Sequence, residues 1–291
     1  MTEDLAIAIT GLSLKLGRFQ LGPLSLDVPR GCVLAFIGPN GAGKTTLLDL
    51  VMGLGRPDKG EIQVLGYTQP KDEVAIKLRT AYVNPDLSFA AWGRVGRALD
   101  FVSGFYPDWD SACCERLLAD FKLSRNDKIA ALSFGGRIKL SLIMALSREA
   151  ELLLLDEPTV GLDVGARRVL FAEILEVVRN ENRTVVMSSH QLSDLERIAD
   201  QVLILNKGRV LAAGRMDQLL DRFAQVDATL LPGAPLPEHE AIRLLGREGD
   251  RVRLLIDTAR FDGRELGRLG ITPVAEVAMT LEDLFVALIS E

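Results

Sequence analysis

VLAFIGPNGAGKTT, residues 33–46, decides the fold. Its first five residues are an uninterrupted apolar run, as in a strand buried on both faces. Residues 38–45 then fit G-x-x-x-x-G-K-[ST]. Leu47, Leu48, Leu50, Val51 and Leu54 follow at the apolar positions of a helix, and Gly53, Gly55 and Pro57 stop it. Strand, glycine loop and helix in this order make a phosphate cradle. Gly38, Gly41 and Gly43, with Pro39, Asn40 and Ala42 between them, let backbone N–H groups curl around an anion with few Cβ atoms in the way. The helix start points its positive dipole end at the same anion. Lys44 is placed to reach β- and γ-phosphates, the Thr45 hydroxyl to ligate Mg2+, and Thr46 to add a further phosphate contact.

A second stretch, LLLLDEP at residues 152–158, complements the first. Four apolar residues followed by two acids read as a buried strand ending in carboxylates. Beside a phosphate loop, Asp156 is expected to hold Mg2+ through water, and Glu157 to polarise the water that attacks the γ-phosphate. ATP and Mg2+ are therefore the expected ligands.

Around these motifs, the 291 residues are 48% hydrophobic and 25% charged with a net charge of −6, an ordinary globular composition that argues against a nucleic-acid groove. No apolar run approaches the roughly 20 residues of a membrane span, so no direct membrane insertion is expected. The first ten residues, MTEDLAIAIT, lack the basic-then-apolar pattern of a signal peptide. Cys32, Cys113 and Cys114 form no disulfide framework, which fits a reducing cytoplasm. With His190 and His239 the only histidines and no C-x-x-C, structural zinc is not expected.

Residues 5–37 read as short strands, LAIAIT, LSLKL, LSLDV and VLAFI. Helix is expected from Val95 onward, after Ser133 and over 165–180, with strands at 152–156 and 184–189 and a hairpin turning at Lys207-Gly208. The character changes near residue 226, and the proline-rich LLPGAPLP at 230–237 reads as a joint. The expected division is residues 1–225, with a helical subdomain at about 85–148, and a small α+β appendage at 226–291. The last helix opens on Thr280 and Asp283 in a capping-box-like arrangement. Within the appendage, AIRLLGREGDRVRLLI at 241–256 reads as a hairpin, and the apolar face of the last helix, Leu281, Leu284, Phe285 and Leu288, is expected to pack on it.

GPNGAGKTT, LSFGG at 132–136, LLLLDEP, GLD at 161–163 and the histidine after VVMSS resemble, in order and spacing, the ATP-binding subunit of an ABC transporter over roughly residues 5–215. FYPDWD at 105–110 and the ending MTLEDLFVALISE further resemble exporter-type ATPases with a separately encoded membrane subunit. The resemblance implies an α/β P-loop NTPase fold with a mixed sheet core, an antiparallel β subdomain and a helical subdomain. It implies that Glu157 is the catalytic base and His190 the switch that contacts the γ-phosphate. Asp163 would belong to the loop that communicates across a dimer, and Ser133 and Gly135 to the signature that caps the other subunit's nucleotide. The implied partners are a second copy of the chain and a polytopic membrane permease, placing the protein at the inner face of the cell membrane.

The chain departs from the family pattern at three places. Phe134 stands in the signature where a glycine is usual. The glutamine of the loop after residue 83 is missing, with Pro85 near its place, leaving Asn84 or Asp86 to ligate Mg2+; Asp86 is the candidate. Leu16 stands where an adenine-stacking tyrosine is usual, which leaves Phe19 for that role. An alternative stays open at this point, a soluble ABC ATPase of a system such as iron–sulfur cluster assembly.

Overall fold

The structure, a computed structural model, describes residues 4–86, 89–179, 183–189, 191–231 and 239–289. Elements are numbered along the chain. β1 (Leu5–Leu16) and β2 (Phe19–Pro29) form an antiparallel hairpin. The expected break between LAIAIT and LSLKL is instead a bulge inside one strand. Gly11 has φ +57°, the register shifts between Ile9 and Leu12, and the Gly11 N–H donates to Ser25 Oγ at 3.0 Å. A glycine in the left-handed region absorbs the extra residue without ending the strand. β4 (Lys59–Val64) and β5 (Tyr67–Thr68) complete this antiparallel layer in the order β2-β1-β4-β5.

The central layer follows from the buried apolar runs. β3 (Val33–Ile37) is buried along its whole length and lies between β8 (Thr184–Ser188) and β9 (Gln201–Asn206), parallel to both. β7 (Leu152–Leu155) and β6 (Thr80–Val83) extend the sheet, and β10 (Arg209–Arg215) closes it antiparallel, in the order β10-β9-β3-β8-β7-β6. The carboxyl ends of β3 and β7 therefore open on the same rim, where ligands of open α/β sheets bind. α1 (Lys44–Met52) starts there and stops at Gly53, which takes φ +75° as a left-handed C-cap.

The short helix α2 (Glu73–Arg79), which the sequence pattern did not reveal, precedes β6. The helical part holds α3 (Val95–Ser103), α4 (Ser111–Asp120) and α5 (Phe134–Leu146). FYPDWD has a local explanation here. Asp110 accepts from the Cys113 N–H at 2.9 Å as the N-cap of α4, and Tyr106 lies 3.7 Å beneath the Arg148 guanidinium. Arg148 in turn donates to the carbonyls of Lys77 and Thr80, tying the end of α5 to α2 and β6. α6 (Val164–Arg179), α7 (Leu192–Glu196) and α8 (Met216–Arg222) cover the far face of the central sheet.

β11 (Phe223–Leu230), β12 (Ile242–Glu248), β13 (Arg251–Asp257) and β14 (Ile271–Val277) form a third, antiparallel sheet in the order β12-β13-β11-β14. Residue 226 falls inside β11, and most of the proline-rich stretch lies outside the described residues. α9 (Leu281–Ile289) carries the expected capping box: the Asp283 N–H donates to Thr280 Oγ1 and the Thr280 N–H to Asp283 Oδ2, both at 3.1 Å.

The packing of α9 corrects the expectation that it rests on its own hairpin alone. Leu281, Leu284 and Ala287 share one core with Leu192 and Leu195 of α7, Leu170 and Ile174 of α6, and Leu255 of the hairpin. The Leu281 N–H donates to Glu196 Oε2 at 3.2 Å, while Arg243 Nη1 donates to the Ala287 and Leu288 carbonyls at 2.9 and 2.7 Å. One end of α9 is thus capped by the central layer and the other by the appendage.

Candidate functional site

Residues 38–43 wind over the rim with Gly41 at φ +77° and Gly43 at φ +106°. A Cβ at Gly38 would sit 2.4 Å from the Leu205 carbonyl oxygen, so only glycine lets the loop leave β3 this close to β9. The Ala42 N–H donates to Pro39 O at 3.1 Å and the Gly208 N–H to Ala42 O at 3.0 Å, fixing the loop from both sides. Lys44 is buried, and its Nζ folds back to Gly38 O at 2.6 Å. Burial lowers its pKa from the ordinary lysine value, with Glu157 and Asp156 acting in the opposite sense.

Two carboxylates face this loop. Asp156 accepts from Thr45 Oγ1 at 2.5 Å and from Ser188 Oγ at 2.6 Å, and its N–H donates to Val83 O at 2.8 Å. Glu157 Oε1 lies 3.8 Å from Lys44 Nζ, and the Glu157 N–H donates to Ser188 Oγ at 2.8 Å. Glu157 also adopts φ +48°, a left-handed conformation costly for a residue with a Cβ. Ser188 Oγ, which donates to the Asp156 carboxylate and accepts from the Glu157 N–H, helps hold this turn.

A cavity of about 410 Å³ lies over these groups, lined by Phe19, Pro39, Asn40, Gly41, Ala42, Gly43, Lys44, Thr45, Thr46, Asp156 and Glu157. The phosphate-loop candidates other than Gly38, both carboxylates and Phe19 are thereby brought together. Phe19 closes one end: its Cζ would be 2.8 Å from a Cβ at Gly43, so the ring lies directly against the loop. Thr45 Oγ1 and the Asp156 carboxylate form a hard oxygen pair at the helix start, the donor chemistry that suits Mg2+. These two residues fit the ion and could hold it.

Ser133, Gly135 and Asp163 do not line this cavity. They meet one another elsewhere. Ser133 is the exposed N-cap of α5, its Oγ accepting from the Gly136 N–H at 3.1 Å. A Cβ at Gly135 would lie 2.1 Å from Gly161 O, so the signature turn and the GLD turn touch backbone to backbone. Asp163 caps α6 through the Ala166 N–H at 2.8 Å and pairs with Lys139 Nζ at 2.9 Å. The cap and the lysine hold its carboxyl down at about 2. Asp86 is exposed and does not line the cavity either. His190 lies outside the described residues.

A family model described as ABC transporter matches residues 21–160. The Nod factor export ATP-binding protein I of Rhizobium johnstonii is 31% identical over 230 residues, covering 75% of this chain and 72% of that protein. The daunorubicin resistance ATP-binding protein DrrA3 of Streptomyces coeruleorubidus is 31% identical over 290 residues, covering 97% and 92%. The chain belongs to the ATP-binding subunits of ABC transporters. A solved ATP binding subunit of an ABC transporter superposes on this ATPase with a TM-score of 0.68 at 28% identity, covering 74% of this chain and 92% of the other. The cbiO1 protein of Clostridium perfringens, at 22% identity and a TM-score of 0.61 over 75% of this chain and 92% of that one, shares the fold. The soluble alternative gives way to these findings: this ATPase hydrolyses ATP and works with membrane transporter components. No helix among its described residues is long and apolar enough to cross a membrane.

Two features of the ABC ATPase site escaped the sequence reading. Ser188 joins both carboxylate-bearing residues, and the only hint was a hydroxyl ending a buried strand. The second is a chain of hydrogen bonds from α1 to the loop after β6, through Asp49, Tyr82 and Asn84. Nothing in the spacing of these residues announces it.

Proposed function

We propose that two copies of this chain close head to tail around two ATP molecules and drive a polytopic membrane permease in export. The observation that carries the reading is the separation of the signature from the phosphate loop. Ser133 sits exposed at a helix start, suited to hold an anion, yet it does not line the cavity of its own chain. A facing copy would bring Ser133 and Gly135 over the partner's phosphates, with Asp163 beside them at the interface. The direction of transport is supported by the relatives, which are named for Nod factor export and daunorubicin resistance. An aromatic ladder supports a permease contact: half-buried Trp92 and exposed Phe101 have ring centroids 3.9 Å apart, and Phe101 and exposed Phe105 4.9 Å apart. Such rings are enriched at protein interfaces.

Within each site the chain's own groups divide the work. The loop N–H groups and Lys44 take the β- and γ-phosphates. Phe19 stacks on the adenine. Thr45 and Asp156 hold Mg2+, with Asp86 a further candidate ligand, and the ion supplies neutralisation of phosphate charge. Glu157 accepts the proton of the attacking water, and His190 contacts the γ-phosphate. The capped ATP dimer is the state that does work on the permease, and hydrolysis releases it.

A cysteine pair tests the arrangement. Cysteines introduced at Ser133 and at Asn40, in a variant whose native cysteines are replaced, are expected to crosslink between chains in the presence of ATP. Crosslinks confined to single chains would show that the signature serves its own nucleotide. As a second readout, Lys44→Ala and Ser133→Arg variants, each inactive alone, are expected to regain ATPase activity when mixed, because one composite site is then intact.

A further inference from the structure

Asp49 lies one helical turn beyond Thr45, on the same face of α1. Its Oδ1 accepts a hydrogen bond from Tyr82 Oη at 2.9 Å. The same phenol oxygen accepts from Asn84 Nδ2 at 2.9 Å, and Asn84 Oδ1 accepts from the Asp86 N–H at 2.8 Å. The order of donors is forced. An ionised carboxylate only accepts, so the phenol must donate to Asp49. The phenol lone pair then faces the Asn84 amide and selects its NH2 end. The Asn84 carbonyl oxygen is left to hold the turn at Asp86. One carboxylate on the phosphate-loop helix thus sets the orientation of an amide two hydrogen bonds away.

The place of that amide gives the chain its meaning. Asn84 directly follows Val83, whose carbonyl accepts from the Asp156 N–H at 2.8 Å. Asp156 in turn accepts from Thr45 Oγ1 at 2.5 Å, one turn before Asp49 on α1. The links form a closed ring: Thr45 to Asp156, Asp156 to the end of β6, Asn84 to Tyr82, and Tyr82 to Asp49 on the helix of Thr45. Thr45 and Asp156 lie on one side of this ring, and the loop that lacks the usual glutamine, which carries Asp86, lies on the other. Tyr82 also packs on the core cluster that contains Leu47, Leu48, Leu50 and Val51 of α1, so its ring is braced.

We infer that Asp49 and Tyr82 are positioning residues that orient Asn84 and the turn at Asp86 against the Mg2+ edge of the nucleotide site. They restore, by a chain of hydrogen bonds to α1, the fixed geometry of a loop without its glutamine. The inference rests on the nucleotide site proposed above. A loop held this way should matter when Mg2+ joins the nucleotide and should not matter for the nucleotide alone.

The test is equilibrium binding of a fluorescent ATP analogue to the full-length protein, with EDTA and across a Mg2+ titration. For Tyr82→Phe and Asp49→Asn, binding in EDTA is expected within about twofold of wild type. The Mg2+ concentration for half-maximal enhancement of binding is expected to rise at least tenfold. The double variant should lose no more than Tyr82→Phe alone, because Tyr82→Phe removes the chain that Asp49→Asn only leaves without a fixed donor order. Asp49→Asn keeps shape and tests charge direction, and the melting temperature of each variant separates misfolding from misplacement. An unchanged Mg2+ midpoint in folded variants overturns the inference. Lys44→Ala serves as the control: if it binds nucleotide normally, the site assignment itself has failed, and that outcome is distinct.

Discussion

Lys44 Nζ stands 3.8 Å from Glu157 Oε1, with both side chains almost withdrawn from solvent. The pair couples the charge proposed to hold the phosphates to the carboxylate proposed to take the water proton. Glu157→Gln is expected to keep ATP binding and to slow hydrolysis at least about a hundredfold, the scale of losing a general base. Steady-state turnover beside a nucleotide-binding curve decides this, and turnover at the wild-type rate rules out Glu157 as base.

The same pair has a pH signature. Burial lowers the pKa of Lys44, and Glu157 partly opposes that lowering. ATP affinity should fall as pH rises through the Lys44 pKa, because the phosphates need the charged amine. In Glu157→Gln the opposing charge is gone, so the fall should begin at lower pH than in wild type. Binding titrations between pH 7 and about 10, below the free-lysine value of ~10.4, would show it. A fall shifted to higher pH in the variant contradicts the electrostatics proposed for the site.

Gly135→Ala should damage the protein out of proportion to one methyl group. The new Cβ would meet the backbone oxygen of Gly161 at 2.1 Å, and a Cβ cannot rotate away from its own backbone, so neither turn can yield cheaply. Overpacking of this kind costs about 1–3 kcal/mol. A lower melting temperature together with reduced ATPase activity is the expected result. A variant with wild-type stability would mean that the two turns are freer than the structure shows.

Leu284→Ala tests the place of α9. Leu284 is fully buried in the core shared with α6 and α7. Truncation should cost about 2–5 kcal/mol. The loss should appear in the single unfolding transition of the ATPase, followed by calorimetry with and without ATP. A separate early transition that leaves the nucleotide-stabilised one unmoved would show that the appendage folds apart.

The three thiols should be slow to react. Burial pushes Cys32 up to about 12 and raises Cys113 and Cys114 above the ordinary thiol value. At pH 8 little thiolate is available to attack an alkylating reagent. Mass spectrometry after iodoacetamide treatment should find little labelling in the native protein, Cys113 leading, and full labelling in denaturant. Rapid native labelling of Cys32 would contradict its burial in the turn between β2 and β3.

Motifs with a local physical cause were legible in the sequence. The phosphate loop needs its glycines, α5 starts at a serine that caps it, and Thr280 with Asp283 makes a capping box. These are contacts within three or four residues. What stayed hidden was long-range. The apolar face of α9 says that it must be buried but not against what, and the answer lies on α7, far earlier in the chain. β11 was missed because the proline-rich stretch beside it drew the boundary. The Asp49–Tyr82–Asn84 chain joins a helix to a strand end that no period connects. Gly11 read as a stop because a bulge and a turn use the same residue.

The seating of α9 bears on how the protein is made. Glu196 and its hydrogen-bonded partner Leu281 are 85 residues apart in the chain. While the ribosome is still adding that intervening stretch, α6 and α7 have already emerged with Leu170, Leu192 and Leu195 uncovered. The growing polypeptide therefore passes through an interval in which the ATP-binding layer is assembled but greasy on one side.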